Sequence, residues 1–268
     1  MKTRVSIIGS GNVAIAATYH LQRNGICVSL YAGPGFDDVL SHIEVAGGIQ
    51  ALDSVNGNSL EIPGFERVDQ ITRSIREAVD YANLLILPVP SFAQETLFRQ
   101  MLPHLRDGQI VLLMPGNYGS LALTKILKEN NGPKIRFVDA STVPWATRIV
   151  ERNTIAIYGI KRIVPMGVFP SNETTSTLEE IVDIFPTPIL PLSNVIEAGL
   201  ENINFGGHPA LTLLSIGLLE NFNGEFDRQI ELRGLLPKPL HPLSVLHCHS
   251  QILDRLSAFC GGVGRLGK

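Results

Sequence analysis

The chain has 268 residues, 44% hydrophobic and 18% charged, with a formal net charge of −3. That length allows one core of about 150–200 residues and a smaller second one, and the charge balance shows no basic stripe or arginine-rich arm for nucleic acid. No apolar run approaches the roughly 20 residues that span a bilayer, and the three cysteines, Cys27, Cys248 and Cys260, are too irregularly spaced for a disulfide framework. A cytoplasmic protein with neither a nucleic-acid nor a membrane partner is expected. With a first strand this close to Met1, no signal or transit peptide is expected.

Val5 to Ile8 is a short β-branched run of the kind buried in a parallel sheet. It leads into Gly9-x-Gly11-x-x-Ala14, and Val13 to Leu21 follows as a helix. In that order the first glycine permits a tight turn and the second lets backbone approach a pyrophosphate. The small third residue lets helix and strand pack closely. The phosphates would sit on free N–H groups at the helix N-terminus, where the helix dipole favours negative charge. Gly9, Gly11, Asn12, Val13 and Ala14 are therefore candidates for binding a dinucleotide.

Asn24-Gly25 stops that helix, and Ile26 to Tyr31 reads as the second strand. Residues 33–64 break the rhythm with Gly-Pro-Gly, Gly47-Gly48 and Asn56-Gly57. The short apolar pieces Ile43–Ala46 and Ile49–Leu52 suggest a small hairpin insertion there. A helix over 69–81, a strand over 84–89 and a helix over 92–102 come next. The alternation continues with a strand over 110–114, a helix over 121–129 and a strand over 135–138. Such alternation implies a Rossmann-type, doubly wound parallel sheet with helices on both faces.

Ligands of such sheets bind beyond the carboxyl ends of the strands. Two further strand ends carry rigid turns, Pro88-Val89-Pro90-Ser91 and Met114-Pro115-Gly116-Asn117. Either could be an ordinary strand-terminating proline. Three unusual turns on one rim favour a cofactor crevice, so Pro88, Val89, Pro90, Gly116 and Asn117 join the cofactor set.

Beyond residue 150 the style changes. Residues 154–160 and 162–169 read as strands, and 174–185 as a helix. From Asn194 the chain reads helical, over 195–203 and 210–222. The proline-rich stretch 186–192 marks the joint, which gives a dinucleotide-binding domain over 1–192 and a small all-α C-terminal domain over 193–268.

Several motifs lie between Val89 and Pro209. They are Val-Pro-Ser-Phe-Ala-Gln-Glu at 89–95, Leu-Pro-His-Leu-Arg-Asp-Gly-Gln-Ile-Val at 102–111 and Met-Pro-Gly-Asn at 114–117. Ser-Thr-Val-Pro-Trp-Ala-Thr-Arg at 141–148, Gly-Ile-Lys-Arg-Ile-Val-Pro at 159–165 and Asn204-x-x-x-His208-Pro209 complete the series. In this order and spacing the chain resembles the opine dehydrogenase family over roughly residues 4–215. The resemblance implies an NAD(P)H-dependent oxidoreductase. An amino acid would condense with a 2-oxo acid, and a nicotinamide hydride would reduce the resulting imine. It also implies that His208 is the catalytic acid/base and that Asn204 helps arrange the site.

The chemistry suits those residues. Histidine is the side chain whose unperturbed pKa lies closest to neutral, and positions i and i+4 share a helix face. A helix-terminal histidine followed by a kinking proline is the plainer alternative. Arg148 could grip a substrate carboxylate through paired hydrogen bonds, or sit in a surface salt bridge with Glu151 nearby. Lys161 and Arg162 read as solvated strand-end charges.

The second strand ends Tyr31-Ala32-Gly33, with no carboxylate until Asp37. An acid at that end would hold the ribose hydroxyls of NAD, and its absence tilts the expectation toward NADP over NAD. The resemblance implies a longer helical domain than the 60 residues that follow His208, which leaves Asp227 and Asp254 as the aspartates available to orient it. A cofactor-binding protein without catalysis, or a 2-oxo acid reductase of related architecture, therefore stays open. His247-Cys248-His249, with His241 and Cys260, matches no common zinc spacing, so no metal is assigned and a plain helical tail is expected. Apolar helix faces at Leu211, Leu214, Leu218 and Leu219 suggest a homodimer formed through residues 195–268.

Overall fold

The computed structural model describes residues 3–52 and 63–202, with Pro209 and Leu213. By contacts the chain divides into Met1–Asn202 and Ile203–Lys268, beyond the boundary read near residue 192. Nearly all described residues lie in the first unit. His208, Asn204, the dimer face and the His247-Cys248-His249 tail lie outside the described residues.

The first unit opens with β1 (Arg4–Ile8), α1 (Asn12–Arg23), β2 (Cys27–Tyr31), α2 (Asp38–Ala46), β3 (Ile49–Leu52) and β4 (Gly64–Glu66). Next come β5 (Gln70–Thr72), α3 (Ile75–Tyr81), β6 (Leu84–Leu87), α4 (Ser91–Met101), β7 (Ile110–Leu113), α5 (Gly119–Glu129) and β8 (Arg136–Ala140). The unit is completed by β9 (Trp145–Glu151), β10 (Thr154–Ile160), β11 (Val164–Phe169), α6 (Thr174–Ile181), β12 (Ile189–Pro191) and α7 (Val195–Leu200).

The main sheet runs β12-β11-β8-β7-β6-β1-β2-β5. From β5 to β8 all neighbours are parallel. Taken in chain order these six strands are arranged 3-2-1-4-5-6, the arrangement of doubly wound dinucleotide folds. The expected Rossmann-type sheet is present, with one departure: β11 runs antiparallel to β8. β6 and β7 are buried along their whole length, as strands covered on both faces must be. Their alternate residues feed two cores. Leu84 and Ile86 join one with Val5, Ile7 and α1; Leu85 and Leu87 join the other with Phe98, Met101 and Leu123 from α4 and α5.

A second sheet, β4-β3-β10-β9, packs on the outer side of α1. That helix is buried continuously from Ala14 to Leu21, because a sheet lies on either side of it.

Several sequence expectations need correction. Ile43 to Ala46 is the end of α2, stopped by Gly47 in the left-handed region (φ 77°). Only Ile49–Leu52 forms the hairpin, with β4, and β3 also pairs with the distant β10. The helix expected over 69–81 is two elements, a strand beside β2 and then α3, whose first turn Ser74 caps by accepting from the Glu77 N–H. β9 lies where only a motif was read, and it pairs with β10. The stretch 186–192 contains β12, which extends the sheet edge, and α7 packs on β11 and β8.

Candidate functional site

The strand order reverses between β1 and β6, and the loops leaving these two strands meet there. The N–H of Gly9 donates to the Tyr31 carbonyl at 2.9 Å, and its φ of 141° suits glycine alone. A Cβ on Gly9 would stand 2.8 Å from Val89 Cγ1, so the glycine turn and the Pro88-Val89-Pro90 turn press on each other. Gly11 is different. It precedes α1 in extended geometry, and among the described residues a Cβ there would meet nothing within 4 Å.

No side chain caps the first turn of α1, and no acidic residue lies in it. The first-turn amides of α1 lack a helical partner, and the room at Gly11 beside them fits a pyrophosphate. Ala14 is fully buried as the small third residue, and Val13 packs against the core beside it. The Asn12 carboxamide is engaged sideways: its Oδ1 accepts the Ile149 N–H at 2.7 Å.

That bond pins β9 against the start of α1 and sets half-buried Arg148 on the residue next to Ile149. The expected Lys161 surface charge is corrected: half-buried just past β10, it donates to the buried Thr142 hydroxyl. Arg162 is exposed, as read.

The third turn is bound to its neighbours. Gln94 Nε2 donates to the Pro115 carbonyl at 2.9 Å, and the Gly116 N–H donates to the Ala140 carbonyl at 2.9 Å. Asn117, in the left-handed region (φ 52°), donates to Ser91 Oγ at 2.9 Å and accepts from Asn202 Nδ2 at 2.6 Å. One carboxamide thus bridges the turns after β6 and β7 to the residue just past α7.

Beneath this turn lies Asp139, fully buried on β8. A Cβ on Gly116 would fall 2.4 Å from its carboxyl carbon. Among the described residues neither carboxyl oxygen has a partner in good hydrogen-bond geometry, and burial pushes the group up to about 7, with nearby Ser120 offsetting part of that.

Where β2 ends, Ser10 Oγ donates to the Phe36 carbonyl at 2.6 Å, tying the turn 33–36 to the glycine loop. Asp37 comes next, held by Arg73 from the end of β5. Among the described residues no group of three His, Cys, Asp or Glu side chains could hold a metal, and no helix is long and apolar enough to cross a membrane.

The strand order and the rim of turns define an α/β protein with a Rossmann-type doubly wound sheet. The staphylopine dehydrogenase family model matches residues 3–235, and the chain belongs to that family. It is 26% identical over 174 residues to the opine dehydrogenase of Arthrobacter sp. (strain 1C), a match covering 65% of this chain and 48% of the relative. Two solved structures share the fold. An octopine dehydrogenase in complex with NADH and agmatine aligns with a TM-score of 0.63 at 20% identity, covering 84% of this chain and 56% of that one. A yersinopine dehydrogenase with NADP+ bound gives 0.66 at 17%, covering 79% and 53%. The chain spans about half the length of the opine dehydrogenase relative it matches.

Proposed function

We propose that this protein is an NAD(P)H-dependent opine-type dehydrogenase that joins the amino group of an amino acid to a 2-oxo acid and reduces the product. The observation that carries this reading is the open, uncapped start of α1 behind Gly9 and Gly11, at the strand-order reversal of a chain in the staphylopine dehydrogenase family. A bound nicotinamide dinucleotide supplies the hydride. Gly9, Gly11, Asn12, Val13 and Ala14 form the phosphate end of its site, and the turns with Pro88, Val89, Pro90, Gly116 and Asn117 form its walls.

His208 gives and takes the proton that imine formation and reduction require, with Asn204 arranging it, and Arg148 holds a substrate carboxylate. The chain beyond Asn202 forms the helical substrate domain, and two copies associate through it in the cytoplasm. The test is oxidation of NADH and NADPH by the purified protein with pyruvate or 2-oxoglutarate, with and without a mixed amino-acid pool. Oxidation only when both substrates are present is expected. Oxidation without amine would make the protein a 2-oxo acid reductase, and cofactor binding without turnover would make it a non-catalytic binder. His208→Ala is expected to lower kcat by about a hundredfold or more while cofactor affinity holds.

A further inference from the structure

We propose that the ion-pair cluster of Asp37, Glu44 and Arg73 selects NAD(H) over NADP(H), with Asp37 standing in for the acid that the end of β2 lacks. The inference rests on the dinucleotide-binding function proposed for this site and adds which dinucleotide is taken.

Position comes first. Thr72 is the register partner of Tyr31, so Arg73 lies beside Ala32 at the carboxyl end of β2. The turn Gly33–Phe36 closes on itself, the Phe36 N–H donating to the Gly33 carbonyl at 3.1 Å, and the Ser10 hydroxyl pins it to the glycine loop. Asp37 leaves this turn directly. Arg73 holds its carboxylate by the carboxyl end of β2, the side of such folds that takes the adenosine ribose.

Charge comes second. Arg73 Nε donates to Asp37 Oδ2 at 3.0 Å, Nη1 to Glu44 Oε1 at 2.8 Å, and Nη2 to Glu44 Oε2 at 3.1 Å and Ser41 Oγ at 2.9 Å. The fork of the guanidinium is spent on α2. Arg73 in turn holds Asp37 and Glu44 below the ordinary carboxylate range, so both are ionised at neutral pH. Two carboxylates face one cation, and Asp38 adds a third on the next residue. A 2′-phosphate, itself carrying about −1.5 to −2 charges, would meet surplus negative charge and an occupied guanidinium. A ribose 2′-hydroxyl would meet an acceptor. The direction is opposite to the expectation drawn from the missing acid on β2, because the Gly33–Phe36 turn displaces the carboxylate along the chain.

The test is a fluorescence titration of the purified full chain with NADH and with NADPH. Wild type is expected to hold NADH at least about tenfold tighter. Asp37→Asn with Glu44→Gln leaves Arg73 in place without its carboxylates, and the preference is expected to swing by about a hundredfold toward NADPH. Adding Arg73→Ala to that pair should abolish the gain. NADPH binding to wild type as tightly as NADH overturns the inference, as does an unchanged preference in the folded double variant. Should the double variant not fold, the wild-type ratio and Asp37→Asn alone decide. Failure of both nucleotides to bind wild type defeats the dinucleotide reading itself, and the selection with it.

Discussion

Asp139 carries a buried carboxyl whose oxygens have no well-formed hydrogen bond among the described residues, and burial holds it at about 7 in the fold. Between the ordinary carboxylate value and about 7, the folded protein keeps a proton that the unfolded chain has released. Stability therefore falls as pH rises through that window and levels off above it. The loss has a ceiling of about 4 kcal/mol. Asp139→Asn is expected to flatten this slope and to melt above wild type near pH 8 but not near pH 5, which thermal melts at the two pH values would check. The glycines of the first turn separate shape from binding. Gly9→Ala forces a side chain into φ 141° and against Val89, and is expected to cost about 1–3 kcal/mol. Gly11→Ala fills only open space, so stability should move by about 0.5 kcal/mol or less while dinucleotide affinity falls at least about tenfold. Denaturant unfolding and nucleotide titration measure the two effects. Both glycines are legible in the sequence. Asp139 and Arg73 are not, because one lies in an apolar strand and the other meets partners 29 to 36 residues away.

Elements differ in how plainly the chain announces them. β6 and β7 are unbroken aliphatic runs, the mark of strands buried on both faces, and they read directly. β5 has three residues and is legible only through the Ser74-x-x-Glu77 cap behind it, which fixes where α3 begins. β9 mixes Thr147, Arg148 and Glu151 among apolar residues and is specified by its partners, β10 and α1. The Asn12–Ile149 bond ties that strand to the start of α1 behind the glycine turn. Asn12→Ala leaves a half-buried N–H without its acceptor and is expected to cost about 1 kcal/mol. Faster amide hydrogen exchange at Ile149, with β6 and β7 unchanged, would be the signature; equal protection would mean that α1 packing alone holds β9.

For the whole molecule, the strand order and the rim of turns stem from the rhythm of strand and helix. The end of the first unit does not, because 186–192 looks like a linker and supplies an edge strand instead. The substrate side of the proposal rests on His208 and Asn204, named by family motif, and on Arg148, whose strand the structure sets beside α1. Association through 195–268 predicts a dimer mass by light scattering at micromolar concentration, and a monomer mass would count against it. The burial of α1 between two sheets has a consequence for synthesis. The glycine turn leaves the ribosome long before β9 does, so Asn12 waits for an amide 137 positions downstream. Until β9 and β10 emerge, one flank of α1 stays uncovered, so in a nascent chain the cradle at its start is unfinished. Any ligand of that cradle therefore stabilises the fold only once β9 and β10 are in place.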